Sequence, residues 1–237
     1  MDSGCSCLPG ALRLNGSAAA AGGSTVRRVK LNFGNVARAL NKLIIYCSPV
    51  SSVALQRWML KAQSALDEIE AAHQAIGGAR RGRRYATLQV NHAYAMLLSS
   101  QFQGFCRDLH SEAVDFLATT MVPPSMGTVV RGLAIQGRKL DQGNPNPGNL
   151  GSDFGRIGMQ LWPQVIALEG RNAKRQRSLE TLTMWRNAIA HQDWTRIGPN
   201  LHLKWVQVWR SACGGLAPSF DAAVRDHLHG LVGRTPW

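Results

Sequence analysis

The sequence predicts an all-helical protein, and three observations lead to that prediction. From residue 54 onward, apolar residues recur every three or four positions, which is the period of one helix face. Apolar residues make up 45% of the chain and charged residues 17%, as in globular proteins with a buried core. No internal repeat and no βαβ rhythm interrupts the pattern. The expected architecture is therefore a bundle of about six helices over residues 54–237.

The N-terminal part of the chain has a different character. Residues 1–25 are rich in Gly, Ser and Ala without a sustained period, which predicts a disordered tail. Residues 26–53 are basic and carry an apolar stripe through Val36, Leu40 and Cys47, so we expect a loosely attached helix and a linker. The stripe superficially resembles a transit peptide or a membrane-surface helix, but no cleavage signal accompanies it.

Helical periodicity is strongest over the next two segments. The first runs from about residue 54 to a glycine cap at Gly77-Gly78. The second follows the basic cluster at 80–84, keeps one face apolar from Tyr94 to Phe116, and ends before Pro123-Pro124. Both are expected to be core helices.

The middle of the chain predicts shorter elements. Residues 127–140 are expected to form a short helix, and residues 141–149 have the Asn, Pro and Gly content of a loop. Ser152 or Asp153 is expected to cap the following helix, which Pro163 interrupts.

The C-terminal part contains three further segments. A basic stretch at 171–177 leads into a helix, and after the Gly198-Pro199 break come two apolar-periodic segments, 203–214 and 219–232. The first of these partly alternates, so a strand is the alternative interpretation there.

The charge of the chain favours a polyanionic partner. Lys and Arg number 27 against 14 Asp and Glu, which gives a net charge of +13. This excess suits nucleic acid first and an acidic membrane surface second, although solubility alone is a simpler explanation. Arginines far outnumber lysines, and their guanidinium fork matches phosphate. No run of eighteen apolar residues predicts a membrane span.

Cysteine usage points to a reducing cytoplasm without a metal site. The five cysteines form no CxxC and have no histidines at metal-ligand spacing, so neither a disulfide framework nor a zinc site is indicated. Cys47, Cys106 and Cys213 are expected to be small core residues. No GxSxG pattern supports a serine hydrolase, and no cofactor is implied.

The stretch "MWRNAIAHQDW" (184–194) carries the candidate chemistry. Arg186 follows Leu179 and Leu182 at helical spacing, where an apolar side chain is expected, and burying its charge is costly unless a partner compensates. Asn187 and His191 stand four apart and share a helix face.

The geometry of this motif leaves two interpretations open. Arg186 and His191 are five apart, about 140° round an ideal helix, so either the helix loosens near Ala190 or the arginine reaches round. Alternatively the pair is structural, with the histidine satisfying the last carbonyls of the helix.

Three stretches together resemble the HEPN superfamily (higher eukaryotes and prokaryotes nucleotide-binding), whose members are small helical bundles. "RNAIAH" resembles its Arg-polar-x-x-x-His signature, residues 93–117 its long early helix, and residues 144–163 the segment before the motif helix. The resemblance covers about residues 55–235. Many members carry an acidic residue after the mid-helix aromatic, whereas Gln103 follows Phe102 here.

The resemblance implies metal-independent RNA cleavage by a homodimer whose motif helices face each other. His191 would be general base or acid, Arg186 would stabilise the phosphate, and Asn187 would position either group. Many members are toxins of toxin–antitoxin or phage-defence systems, which implies an antitoxin protein as a possible partner.

Two basic clusters are candidate contacts for RNA phosphates, and solvated linkers are the alternative for each. The competing functions are a non-catalytic HEPN module that binds RNA, nucleotide or a partner protein, and a basic structural or membrane-peripheral protein. The candidate contacts are Arg80, Arg81, Arg83, Arg84, Lys174, Arg175 and Arg177.

Overall fold

The computed structural model describes residues 51–77 and 85–237. The predicted tail (1–25) and nearly all of the basic extension (26–53) lie outside the described residues. Every regular element in the described part is helical, which confirms the all-α prediction. Four candidate phosphate contacts also lie outside it: Arg80, Arg81, Arg83 and Arg84.

The described helices are connected by short segments. None of them is both long and apolar enough to cross a membrane. In chain order they are α1 (Val53–Arg57), a π-helical segment (Trp58–Ala62), α2 (Gln63–Gly77), α3 (Tyr85–Thr120), α4 (Pro124–Ile135), α5 (Lys139–Gln142), α6 (Pro147–Gly155), α7 (Leu161–Leu168), α8 (Asn172–His191) and α9 (Leu203–Val232).

The long helix α3 lies at the centre of the bundle and packs against α2, α4, α8 and α9. Trp58 meets Phe102 of α3 edge-on with ring centroids 5.5 Å apart, and Phe102 lies 5.9 Å from Phe220 of α9. All three are fully buried. Burying a large apolar side chain contributes about 1.5–3 kcal/mol, so this aromatic contact fixes α9 against α3.

Helix α8 begins earlier than its sequence suggests. The basic stretch 171–177 was expected to precede the helix, yet α8 starts at Asn172. The Asn172 side chain is fully buried; its Nδ2 donates to Val165 O (2.8 Å), and its Oδ1 accepts from Arg175 (2.8 Å). Polar side chains therefore anchor this end of α8, which is why no apolar period marks it.

Helix α9 is continuous, so the division into two segments and the strand alternative over 203–214 are both wrong. Pro218 lies inside the helix, but its side chain is exposed while Leu216, Ala217 and Phe220 are buried around it. The apolar face thus continues past Pro218, and its packing outweighs the single backbone hydrogen bond that proline removes.

The region from 146 to 163 also differs from its prediction. Asn146 caps α6 by accepting from Asn149 N (2.7 Å). Asp153 caps a different helix, because its carboxylate accepts from the N–H groups of Lys139 and Leu140 at the start of α5, both at 2.7 Å. Pro163 lies in the first turn of α7, where its missing N–H costs little.

Helix α4 is offset from the predicted 127–140. It starts at Pro124, ends at Ile135, and contains no buried residue. Gly137 follows with φ of +73°, a conformation that favours glycine and turns the chain towards α5.

Candidate functional site

The Arg-Asn-x-x-x-His motif lies at the C-terminal end of α8. Four apolar residues of this half are buried at steps of three: Leu179, Leu182, Trp185 and Ala188. His191 is exposed. The motif therefore stands where the buried face of α8 meets solvent.

Helix α8 ends directly after His191. Gln192 has φ of 54°, the only positive φ of a non-glycine residue in the described part of the chain. Its N–H donates to Ile189 O (3.4 Å), and Asp193 N–H donates to Ala188 O (3.0 Å), which is the pattern of a Schellman motif. The Gln192 side chain also donates to Ile189 O (2.7 Å). Gln192 thus takes the capping role that the structural interpretation gave to the histidine.

His191 and Asn187 line one groove of about 270 Å³, as their spacing of four predicts. Within the described residues, the imidazole of His191 forms no hydrogen bond. We call this cavity the histidine groove; its other walls come from Met184, Ala188, Asp193, Arg196 and Ile197.

Arg186 lies beside the histidine groove and is not part of its lining. Its guanidinium is half-buried and donates from Nη1 to Asn187 Oδ1 at 3.3 Å. The helix remains α-helical through His191, so it does not loosen to bring the two side chains onto one face. Asn187 connects them, because it contacts Arg186 and lines the groove with His191.

Arg186 differs from the other arginines in its ion pairing. Among the described arginines that are buried or half-buried, Arg186 has no carboxylate within 4.0 Å. A guanidinium withdrawn from water needs a compensating anion, so an unpaired one is suited to a ligand that supplies the charge. Each of the others forms an ion pair: Arg131, Arg138, Arg175, Arg210 and Arg225.

Asn187 is held by a loop residue that sequence analysis did not identify. Asn144 donates from Nδ2 to Asn187 Oδ1 at 2.9 Å. The Oδ1 of Asn144 in turn accepts from the side-chain nitrogen of Asn146 (2.8 Å), and Asn149 donates to the Asn144 carbonyl (2.8 Å). With its oxygen occupied by Asn144 and Arg186, Asn187 has its side-chain N–H groups left as donors. The Asn-rich loop is the only sequence signal for this contact.

Gln103 fixes the position of the same loop. Its Nε2 donates to two carbonyls, Leu140 O and Gly143 O, each at 2.6 Å. A carboxylate has no N–H to donate, so glutamine at this position is explained by the two carbonyls it meets. The departure from the acidic pattern therefore has a structural cause next to Asn144.

Asp193 and Arg196 are the other charged residues of the histidine groove. Thr195 donates to Asp193 Oδ1 from its hydroxyl (2.7 Å) and its N–H (3.0 Å), and these hydrogen bonds lower the pKa of Asp193. The carboxylate is therefore ionised near His191 at neutral pH. Neither residue was predicted for the site, because loop residues reach it only through the turn after α8.

The loop after α8 is attached to α3. Asn91 donates to Leu201 O (2.8 Å), and the His92 ring lies 3.0 Å from Pro199 O. His92 also stacks on Trp194 with ring centroids 5.2 Å apart. Contacts with a long core helix thus hold the wall that carries Arg196.

The second basic cluster divides into exposed and engaged residues. Lys174 and Arg177 are exposed on α8. Arg175 instead pairs with Glu169 and Asn172 and lies against Gly215 of α9. The structure thus brings Lys174 and Arg177 to the surface and places Arg175 in a packed contact.

Two further findings concern metals and cysteines. The described residues contain no group of three or more His, Cys, Asp or Glu side chains placed to hold a metal ion. Cys106 and Cys213 are buried and free, in agreement with their prediction as core residues.

Comparison with known protein families, curated proteins and solved structures finds no match to this chain.

Proposed function

We propose that this protein is a metal-independent RNA endonuclease of the HEPN type that acts as a homodimer. The observation that carries the proposal is the half-buried guanidinium of Arg186, which has no carboxylate partner among the described residues and adjoins a groove containing an exposed histidine. The resemblance of the 186–191 motif to the HEPN signature supplies the reaction class.

Arg186 would bind the phosphate at the cleaved linkage. A guanidinium can donate two parallel hydrogen bonds to phosphate oxygens and stabilise the charge that develops on them. The RNA would provide the anion that residues 51–77 and 85–237 do not. Arg196 adds a second positive charge on the groove wall.

His191 would transfer the protons of the reaction. As general base it takes the proton of the ribose 2′-hydroxyl while the 2′-oxygen forms a bond to phosphorus. The bond from phosphorus to the 5′-oxygen breaks, and an imidazolium acting as general acid protonates that oxygen. The products are a 2′,3′-cyclic phosphate and a 5′-hydroxyl, so the reaction needs no redox partner and consumes no water.

Asn187 would orient the phosphate between these two groups. Its oxygen is held by Asn144 and Arg186, so its N–H groups are the part that can donate to a ligand. The loop that Gln103 holds thus sets the direction in which Asn187 donates.

A second subunit would complete the site. Arg186 and His191 lie on different sides of one helix, and a facing α8 from a partner would bring a second copy of each group to the same space. This arrangement agrees with the facing motif helices implied by the HEPN resemblance. The corresponding biological role is that of a toxin in a toxin–antitoxin or phage-defence system. Such a toxin would act in the cytoplasm and be restrained by an antitoxin protein.

The route of the RNA would follow exposed cations. Lys174 and Arg177 on α8 are candidate phosphate contacts, together with the arginines at 80–84 outside the described residues. Such contacts carry little sequence preference and make binding fall steeply with salt. We leave Arg175 out of this route because Glu169 and Asn172 already bind its guanidinium.

The test is cleavage of total RNA by the purified full-length protein in EDTA, beside the His191→Ala variant. We expect cleavage that survives chelation, disappears in the variant and yields 2′,3′-cyclic phosphate ends. Light scattering should give the mass of a dimer.

Two results would contradict the enzyme. Products with 3′-hydroxyl ends would exclude the proton transfers assigned to His191. RNA binding without cleavage would favour the non-catalytic HEPN module, in which the same motif only binds.

A further inference from the structure

A second, larger groove adjoins the histidine groove. Its volume is about 640 Å³, which lies within the range of small-molecule sites. Ile197 lines both grooves, so they meet at the loop after α8. We call it the tryptophan groove; its walls include Thr181, Trp185, Asn200, His202, Trp205 and Trp209.

The aromatic rings of this groove hold one exposed indole in a fixed orientation. Trp205 is 46% exposed. Trp185 meets it at 63° with ring centroids 5.9 Å apart, and His202 meets it at 83° and 5.4 Å. Trp185 is itself buried against Trp209, at 6.1 Å. An exposed tryptophan is therefore supported by buried ones, which presets its position for a ligand.

We propose that the tryptophan groove binds one unpaired nucleobase of the RNA strand, next to the linkage held in the histidine groove. The inference rests on the proposed function for the identity of the ligand. Every base has an aromatic face, and stacking on an aromatic side chain strengthens binding without requiring a particular sequence.

Charge favours an RNA strand over a second copy of the chain as the occupant. Three exposed cations flank the groove in sequence: Arg177 one turn before Thr181, Arg196 beside Ile197, and Lys204 beside Trp205. The exposed acids in the same stretches are Glu180 and Asp193. Cations therefore outnumber acids along these stretches, and they attract the phosphates that accompany a base.

The experiment measures binding of a labelled single-stranded oligoribonucleotide in the His191→Ala background, where the RNA stays intact. Fluorescence anisotropy compares the parent, Trp205→Ala and Trp205→Phe with normal RNA and with RNA that lacks one base. Leu133→Ala, on the exposed face of α4, is the matched control for removing an exposed apolar side chain. Thermal melting establishes that each variant is folded.

We expect Trp205→Ala to raise the Kd by about 5- to 100-fold, while Trp205→Phe and Leu133→Ala stay near the parent value. Removing the base at the bound position should weaken binding by the parent to the same extent. It should have little further effect on Trp205→Ala, because the two partners of one stacking contact are not additive.

The contrary outcomes are distinct. The nucleobase site is wrong if the parent does not bind RNA, or if removing each base of the RNA in turn leaves the parent's Kd unchanged. This test uses only the parent protein, so it does not depend on the folding of any Trp205 variant. If Trp205→Ala converts a dimer into a monomer, a second copy is the occupant instead. If the wild-type protein cleaves RNA but base removal and Trp205→Ala have independent effects on binding, the nuclease proposal holds and the nucleobase site is wrong. If the two effects are coupled but no RNA is cleaved, the nucleobase site holds and the nuclease proposal is wrong.

Discussion

Two arginine–histidine pairs in the described part of the chain lie in opposite surroundings. Arg138 and His110 are both buried, with an Arg138 nitrogen 3.4 Å from His110 Nδ1 and a bidentate ion pair from Arg138 to Asp141. At the end of α8, Arg186 has no carboxylate within 4.0 Å, and the imidazole of His191 forms no hydrogen bond among the described residues. The residue types are the same, and only their partners differ.

The buried pair is fixed in one protonation state. His110 Nε2 donates to Asp153 O (2.9 Å), while Nδ1 faces the Arg138 guanidinium. Burial, and then the charge of Arg138, lower the pKa of His110 to about 4. A histidine that stays neutral at physiological pH and has no access to solvent cannot exchange protons with a substrate. His110 therefore has a structural role, and the proposed proton transfer remains with His191.

The largest expected effect distinguishes the two histidines, because removing His191 should lower the cleavage rate and removing His110 should lower the stability of the fold. His191→Ala should lower the rate of RNA cleavage by about 10²- to 10⁴-fold, the usual contribution of general acid–base catalysis, with little change in melting temperature. His110→Ala should destabilise the fold, while cleavage per folded molecule persists.

His229→Ala, an exposed histidine near the end of α9, is the matched control and should change neither quantity. Cleavage that is unaffected by loss of His191 would remove the distinction between the pairs.

The next effect is on stability as a function of pH. Because the pKa of His110 is about 4 in the folded protein and about 6.5 when unfolded, the unfolded chain binds more protons between these values. The contribution is fully present above pH 6.5 and is lost as the pH falls to 4, at a cost of roughly 3 kcal/mol.

Urea denaturation between pH 7 and pH 4 measures this loss, and His110→Gln should have a flatter profile. An equally steep profile in the variant would assign the pH dependence to other groups.

A smaller effect on stability concerns the loop that contacts Asn187, next to Arg186 and His191. Gln103→Glu replaces a double donor by an acceptor, so the carbonyls of Leu140 and Gly143 lose their partner, and the free energy of unfolding should fall by about 1–3 kcal/mol. The loss should shrink at acidic pH, where a protonated glutamic acid can donate once. Gln89→Glu, exposed on the same helix, is the control. Equal stability of the two variants at pH 7 would show that Gln103 does not hold the loop.

The smallest effect tests Arg175, a partnered arginine on the same helix as Arg186. A Cβ at Gly215 would lie 2.3 Å from Arg175 Nε, so Gly215→Ala must displace a guanidinium held by Glu169, and we expect a loss of about 1–2 kcal/mol. Gly214→Ala meets no atom within 4 Å and should stabilise α9 by up to about 1 kcal/mol. Calorimetry measures the change in the free energy of unfolding for both variants. Changes of the same sign would contradict the packed position of Arg175.

Periodicity predicted most of the fold and failed where polar groups or packing determine an element. The apolar stripes of α2, α3 and α9 were visible in the sequence. The start of α8 was not, because a buried asparagine and an ion-paired arginine anchor it in place of apolar residues. The segments 203–214 and 219–232 were predicted separately, yet a continuous apolar face joins them past Pro218 in one helix.

The candidate site was predictable only along one helix. Spacing placed Asn187 and His191 on one face of α8, and the structure puts them in one groove. Asn144 and Arg196 come from separate loops, and only the packing of those loops against α3 and α8 brings them to the site. Whether a buried arginine is paired is likewise a property of the tertiary structure.

We propose that Arg186 has no carboxylate partner among the described residues because RNA phosphate is its ligand. The direct measurement is the cleavage rate of Arg186→Ala together with its free energy of unfolding. The control is Arg131→Ala, which removes a half-buried arginine that is ion-paired with Asp115. We predict a fall in rate of about 10²- to 10³-fold for Arg186→Ala with stability unchanged within about 0.5 kcal/mol, and an unchanged rate for Arg131→Ala. A destabilised Arg186→Ala that cleaves RNA at the wild-type rate would contradict the account.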